Sequence, residues 1–387
     1  MPNPIDGEPR EPKGSGPVLL QLMLADATRQ LSVCNACRYC EGLCAVYPAI
    51  ERRTLFELAD LSQLGNLCHD CRACFDSCMF TAPHEFNINM PKLFSEIRLI
   101  DYQRFVWPSK VPGFLSGRFA MLSISLISTA IVFLLAIFNV GVGGLITRNV
   151  GPKSPFILIP AVQLDVLLLI PAVFSFIILI SAGARFWKEV GGAPTGLTLR
   201  MVLTAIWYAI TFRYMDGGGA ACNYPNDEVP SPLRRRYHFL VSYGFGLCII
   251  STVAAAYLQD VLGIEPPYRW LSVPVISGFV GGIGLIIGCW GLLKLKMQSS
   301  EITSVAMMNV KDYGFLIALE LLALSGMATL LSRESLVFGL VFLIHLSTII
   351  LTFTFAPYSK FVHFIFRFLA ILRDNFEKVH ESNSLSE

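Results

Sequence analysis

The sequence predicts a mostly α-helical chain in two parts, a cysteine-rich N-terminal head followed by a membrane body of six spans. Three observations carry that reading. Of 387 residues, 54% are hydrophobic and only 15% are charged, against roughly 25% charge in ordinary globular proteins. Eight of the eleven cysteines fall between Cys34 and Cys78. Every uninterrupted apolar run long enough to cross a bilayer begins after Arg118. Such a balance excludes a disordered chain and a secreted disulfide scaffold. A net charge of +2 is too small to imply a polyanionic partner, so no nucleic acid is expected.

The composition shifts mark the parts. Residues 1–30 form a polar N-terminal segment with a short helix, 31–100 the cysteine domain and 101–118 a linker. Residues 119–370 form the membrane domain and 371–387 a tail. Met1–Gly16 is polar and Pro-rich, and the apolar patch Val18–Leu24 is too short for a secretory signal. A head that is not exported keeps its thiols reduced, where clustered cysteines mean metal more often than disulfide.

Those cysteines repeat one spacing, Cys34-x2-Cys37-x2-Cys40-x3-Cys44 and Cys68-x2-Cys71-x2-Cys74-x3-Cys78. Three thiolates at intervals of three wrap one face of a compact cluster, and the fourth serves the other cluster in two-cluster ferredoxins. The spacing therefore assigns Cys34, Cys37, Cys40 and Cys78 to one [4Fe–4S] cluster, and Cys68, Cys71, Cys74 and Cys44 to a second. Zinc is the alternative, but its four-cysteine sites are usually two separated C-x2-C pairs. One departure stands out: Ala45 and Met79 occupy the places where a proline often follows the fourth cysteine.

Between the motifs, Leu55, Leu58, Leu61 and Leu64 recur at intervals of three, flanked by Phe56 and Ala59. This is helical rather than alternating periodicity, so the head is expected to be an all-helical two-cluster ferredoxin-like domain. His69 and His84 lie within it and read as hydrogen-bonding or surface residues.

A span needs about 20 apolar residues. Candidates are Phe119–Phe138, a run within Phe156–Gly183, Phe239–Leu258, Leu271–Leu293, Tyr313–Leu331 and Leu336–Ala356. A seventh stretch, Leu197–Met215, carries Arg200 and Arg213 and reads as an interfacial helix. With the head inside, 26 of the 30 Lys and Arg residues fall on inside segments, leaving Arg148, Lys153, Arg269 and Arg333 outside. This bias predicts a bacterial inner-membrane protein with the head and both termini cytoplasmic.

Three histidines border or enter the spans: His238 at the start of the third, His345 within the sixth and His363 just beyond it. Neutral imidazole is a common axial ligand for haem iron, and a bis-His site needs two at matching depth. His238 and His363 meet that condition, giving a b-type haem near the inside surface. His345 precedes His363 by 18 residues, roughly 27 Å along a continuous helix at about 1.5 Å per residue. It suits a second haem or, in a competing model, pairs with His238. Cys248 is an unusual further partner.

Other polar residues in the spans invite weighing, because an intramembrane carboxylate is costly. Asp165 fits the border of a long run, whereas Glu320 lies well inside the fifth span and suits a proton or quinone role or a protonated structural carboxyl. Gly278, Gly281, Gly282, Gly284 and Gly288 read as close helix packing. No strand precedes Gly217-Gly218-Gly219-Ala-Ala-Cys222-Asn223-Tyr224-Pro225, so this segment is not a phosphate-binding dinucleotide loop. It reads as a turn before Arg234-Arg235-Arg236, or as a docking surface.

Tandem four-cysteine motifs, six spans, the Gly-Gly-Gly-x-x-Cys-Asn-Tyr-Pro segment and the Arg-Arg-x-His start of the third span together resemble the tricarballylate (citrate) utilisation protein B family. The resemblance covers nearly the whole chain. The chain is also similar to the C-terminal half of the flavin–haem–iron-sulfur fusion protein of aerobic cobalamin synthesis. The family pattern has a further His just before His238, where Tyr237 stands here, which puts a second haem in doubt. The resemblance implies an electron-transport role beside a separate FAD-dependent tricarballylate dehydrogenase. Electrons would leave the reduced flavin for the two clusters, then haem, then membrane quinone. Such an accessory oxidoreductase subunit needs no flavin of its own.

Two other classes compete. A heterodisulfide-type catalytic subunit would need an unusually ligated cluster, yet all eight cysteines are used in ordinary ones. A transporter with a redox sensor predicts an internal repeat in the membrane body, and none is visible.

Overall fold

The computed structural model describes residues 16–42, 44, 46–108, 118–146, 154–192, 196–215 and 231–384. Among these no β-strand occurs, and the head is helical throughout. It comprises α1 (Gly16–Cys37), α2 (Val46–Glu51), α3 (Leu58–Leu67), α4 (Ala73–Asp76) and α5 (Met90–Arg104). The leucine periodicity holds for part of its length. Leu61 and Leu64 are fully buried inside α3, whereas Leu55 precedes the helix and is 80% exposed. The helix starts later because Glu57 and Asp60 form a reciprocal capping box, which satisfies the first free N–H groups at that point.

Among the described residues, six helices are long and apolar enough to cross a membrane. They are α6 (Arg118–Gly144), α8 (Ala161–Glu189), α10 (Leu233–Ala256), α11 (Val273–Met297), α12 (Ala306–Ser332) and α13 (Phe338–Phe355), with the short α7 (Ser154–Leu158) before the second. Apolar side chains cover their outer surfaces, Leu126 and Phe138 among them, as a hydrocarbon solvent requires. The chain is thus a multi-pass membrane protein. The seventh stretch forms α9 (Leu199–Ile210), capped by Thr198. It buries Met201 and Ala205 and turns Leu199, Leu203 and Trp207 outward.

After α13 the chain does not continue as one helix. Two 3-10 turns, Ala356–Tyr358 and Lys360–Val362, precede α14 (His363–Ser384). Pro357 lies in the first turn and cannot donate the backbone bond that a continuing helix needs. The continuous-helix separation of His345 and His363 therefore does not apply. The segment from residue 371, drawn as a tail, is helical to Ser384.

One apolar core runs from the head into the membrane body. Leu61, Leu64 and Ile97 of the head share it with Ile178 and Phe186 of α8 and Phe366 of α14. Phe186 and Phe366 stack with ring centroids 4.7 Å apart, and Phe105 meets both edge-on at 5.7 and 5.9 Å. Residues 101–118 were expected to be a linker, but Asp101, Tyr102, Phe105 and Val106 are buried in this core. Ion pairs reinforce the junction. Arg52 pairs with Asp374, and Arg53 reaches Asp60 at 2.7 Å and Glu377 at 2.8 Å. The head and the C-terminal helix α14 are thus joined by buried charge as well as by apolar packing.

Asp374 is fully buried and also accepts from Lys378 at 2.6 Å. Removing one partner of a buried pair strands the other, at a cost of about 3 kcal/mol or more. Asp374→Ala should accordingly lower the thermal unfolding temperature of the detergent-solubilised chain. Asp101 generates a second expectation. Burial pushes its carboxyl up to about 7, although Ser62 and Asn66 donate to it at 2.9 and 2.7 Å and favour ionisation. A carboxyl that binds its proton more tightly when folded carries no penalty below the ordinary range near pH 4, and weakens the fold as pH rises towards 7. Wild-type melting temperature should fall between pH 4 and 7 relative to Asp101→Asn. Parallel pH profiles of the two proteins would refute this.

Candidate metal centre and the adjoining cavity

The eight head cysteines line one cavity between α1, α2, α4 and α5. Their loops require unusual backbone. Arg38, Asp70 and Arg72 adopt left-handed φ values of 56°, 56° and 68°, a strain found mostly where function demands it. Arg38 follows Cys37, while Asp70 and Arg72 flank Cys71. The thiols fall into two groups. Cys34 feels the charge of Cys78, Cys40 and Cys37, whereas Cys44 feels that of Cys71 and Cys68. Cys74 in turn feels Cys71, Cys44 and Cys68, and after them Cys40, so the fourth cysteine of each motif lies within electrostatic reach of the other motif.

Burial, then this crowding, pushes the Cys34 and Cys44 thiols up to about 12 and Cys40 to about 11. Four thiolates can share such a space only around positive charge, which a metal centre supplies. Among the described residues no three His, Cys, Asp or Glu side chains converge on a single ion. Eight cysteine thiols around one cavity are a donor set that fits iron–sulfur clusters, whose ligands are thiolates.

A second cavity, of about 810 Å³, opens where the head meets the spans. His69 and Arg72 line both cavities. His69 is no free ligand: its Nε2 donates to the Tyr214 carbonyl, and its Nδ1 lies 3.3 Å from the Leu67 carbonyl. His84 is a half-buried surface residue whose Nδ1 accepts from the Phe86 N–H at 3.1 Å.

The second cavity brings His238 and His363 together. Their ring centroids lie 6.4 Å apart with planes at 88°. An imidazole nitrogen binds a metal at about 2 Å, so two rings on opposite sides of one ion place their centroids roughly 6 Å apart. His363 donates from Nδ1 to the Lys360 carbonyl at 2.6 Å, and Ser242 lies 3.3 Å from Nδ1 of His238. Holding Nδ1 in this way directs Nε2 outward, as second-shell partners of metal-bound imidazoles do. Burial, then Lys360 and Arg367, brings His363 down to about 3, so it is neutral. The pair fits axial ligation of a haem.

His345 stands apart from this pair. Its Nδ1 contacts Ser325 at 3.0 Å between α12 and α13, and Ser325 also meets Thr348 at 3.1 Å. Cys248 lines neither cavity; its sulfur packs against Gly281. Glu320 is half-buried beside Cys289, and Asp165 is partly exposed in the first turns of α8. The segment Gly217–Pro225 lies outside the described residues.

Six cations that spacing alone did not single out also line the second cavity: Arg72, Arg98, Arg234, Lys296, Lys360 and Arg367. They face two carboxylates, Asp70 and Asp312. Arg72, Arg98 and Arg234 each approach Asp70 at 3.8–3.9 Å. Burial opposes ionisation of Asp70, but these guanidiniums outweigh it and hold the carboxyl near 2. Asp312 sits between Lys296 at 2.8 Å and Lys360 at 2.6 Å. The surplus positive charge suits an anionic occupant.

A helical head with paired four-cysteine motifs, set on six spans over a His-lined cavity, defines a membrane-anchored protein with a ferredoxin-type domain. The family model for the citrate utilization protein B Fer4-like domain matches residues 27–104, and that for citrate utilization protein B matches residues 116–384. The chain is 37% identical over 357 residues to citrate utilization protein B of Escherichia coli, covering 92% of each. The chain belongs to the citrate utilization protein B family. No solved structure matches it.

His238 is placed by the packing of α10 on α11. A Cβ on Gly288 would stand 2.8 Å from the Val241 nitrogen and 2.9 Å from the Tyr237 carbonyl, backbone atoms on either side of His238. Gly288→Ala should force the helices apart, at about 1–3 kcal/mol, and displace His238. Gly246 of α10 has open space at its Cβ position. Thermal unfolding should therefore separate a destabilised Gly288→Ala from a near-neutral Gly246→Ala.

Proposed function

We propose that this chain is an electron-transfer subunit of citrate or tricarballylate utilisation. It reoxidises the reduced flavin of a partner FAD-dependent tricarballylate dehydrogenase and delivers the electrons to membrane quinone. One observation carries the reading: the cavity of eight cysteines and the cavity holding His238 and His363 share a wall, formed by His69 and Arg72.

Cys34, Cys37, Cys40 and Cys78 would hold one [4Fe–4S] cluster, and Cys44, Cys68, Cys71 and Cys74 the other. His238 and His363 would hold a b-type haem. When bound, these groups supply one-electron carriage, dividing the two electrons that a reduced flavin gives up. The residues themselves separate donor from acceptor. Cys37 is exposed, where a soluble donor would reach it, whereas Cys71 is buried between Asp70 and Arg72, which line the second cavity. His69, held neutral at about 3 by burial first and then by nearby arginines, fills the wall without adding charge. Ile206, Ile210 and Ile249 give the second cavity an apolar side, which suits a lipid-soluble acceptor. The charge bias supports a cytoplasmic head and cytoplasmic termini. The family resemblance and the relative's role in citrate utilisation support the partner.

Anaerobic purification followed by oxidised and dithionite-reduced spectra, with iron and haem analysis, tests this. About eight irons and b-type bands are expected per chain, from two four-iron clusters and the haem. His238→Ala and His363→Ala should each abolish those bands, while His345→Ala should retain them. Zinc in place of iron would end the redox reading. Bands that vanish only with His345→Ala would transfer the haem to another pair.

A further inference from the structure

The two cysteine groups differ in the charge around them. Cys68 has two guanidiniums against it. Arg98 donates to the Gly65 carbonyl at 3.0 Å and the Cys68 carbonyl at 3.3 Å, and its charge is felt at the Cys68 thiol. Arg367 donates to the same Cys68 carbonyl at 2.5 Å. Arg98 is only 7% exposed, and the two guanidiniums repel one another. Burial, then Arg98, lowers Arg367 to about 10. The carboxylate that meets Arg98 is Asp70, at 3.8 Å and already shared with Arg72 and Arg234.

Removing like charges from water together is costly unless negative charge meets them. Four thiolates gathered at Cys44, Cys68, Cys71 and Cys74 would provide it. Among the described residues, no arginine contributes to the charges that act on Cys34 and Cys40. The charges felt by Cys34 and Cys40 come from other cysteines. Arg38, the guanidinium next to Cys37, is 57% exposed and points to Glu51 at 3.9 Å.

We propose that Arg98 and Arg367 act as a guanidinium clamp on Cys68. The clamp makes the Cys44–Cys68–Cys71–Cys74 site the stronger electron acceptor of the two, and so directs electrons from the exposed side of the head towards His363. The inference rests on the two-cluster reading above. Positive charge and hydrogen bonds at ligating sulfurs raise the reduction potential of iron–sulfur sites. The site that gains the electron is thereby stabilised, and the Cys34–Cys37–Cys40–Cys78 site is oxidised by the same one electron. No proton or further reactant is needed. Arg367 stands one helical turn after His363 on α14, so these two side chains project from the same face. Both arginines are positioning residues, since neither touches iron.

The test is a redox titration of the full-length, detergent-solubilised protein, followed by paramagnetic resonance. Wild type, Arg367→Gln, Arg98→Gln and Arg367→Lys are compared with iron content measured in parallel. Each Gln variant should shift one of the two midpoints downward by at least tenfold in the one-electron equilibrium, about 59 mV, and leave the other in place. Arg367→Lys keeps the charge and should recover most of that shift. Two unmoved midpoints at full iron content would overturn the proposal, as would equal movement of both. Loss of half the iron in Arg367→Gln, with Arg367→Lys at full iron and unshifted and Arg98→Gln also unshifted, would reduce the arginines to loop supports and overturn it too. Iron-free wild-type protein would instead bring down the cluster reading on which this one stands.

Discussion

Phe105 from the head, Phe186 from the second span and Phe366 from the C-terminal helix meet in one aromatic knot, and the geometry of both cavities depends on it. Without that seal the head would be a separate body on a tether. Its distance to His238 and His363 would then vary with every movement of the tether. Burying three aromatic rings contributes several kcal/mol, at about 1.5–3 kcal/mol for each large side chain. The ion pairs of Arg52 and Arg53 with α14 add direction to a contact that hydrophobic burial alone leaves loose. An apolar seal resists separation, while the buried ion pairs select one registration of the head on α14.

Charge follows from this fusion. Residues that would be exposed on a free head, Arg72 and Arg98, become walls of a cavity also lined by Lys296, Lys360 and Arg367. In a medium of low dielectric these cations interact more strongly than they would in water. Asp70 and Asp312 each serve more than one of them, and neither balances the whole set. The docking of the head therefore creates the electrostatic character of the cavity.

Much of this was legible in the sequence. The repeated cysteine spacing and six apolar runs are local signals, and both return as a helical head and six long apolar helices. The glycines of α11 read correctly as close packing, since Gly281 and Gly288 leave no room for a side chain. The leucine repeat overran because capping at Glu57 depends on two side chains that periodicity does not weigh. The linker was misread for a related reason. Residues 101–106 look ordinary in sequence, and only their contact with Phe186 and Phe366 makes them core. Arg98, Arg234 and Arg367 were invisible as a group, because chain separations of more than a hundred residues carry no pattern. An arginine near a span also has the simpler reading of inside-facing charge.

The histidines mark the boundary between the two kinds of information. Spacing brings three candidates forward, pairs His238 with His363 by matching depth, and sets His345 apart by assuming a continuous helix from it to His363. The break at Pro357 changes that geometry. His363 opens a new helix that crosses beneath the head, and its ring comes to His238 while its neighbour Arg367 comes to Cys68. One helix thus presents two residues to the second cavity, a turn apart, and the later of them also reaches the Cys68 carbonyl. The interruption after Phe355, a local event at a proline, is where a new helix begins with His363 and carries Arg367 to the Cys68 carbonyl.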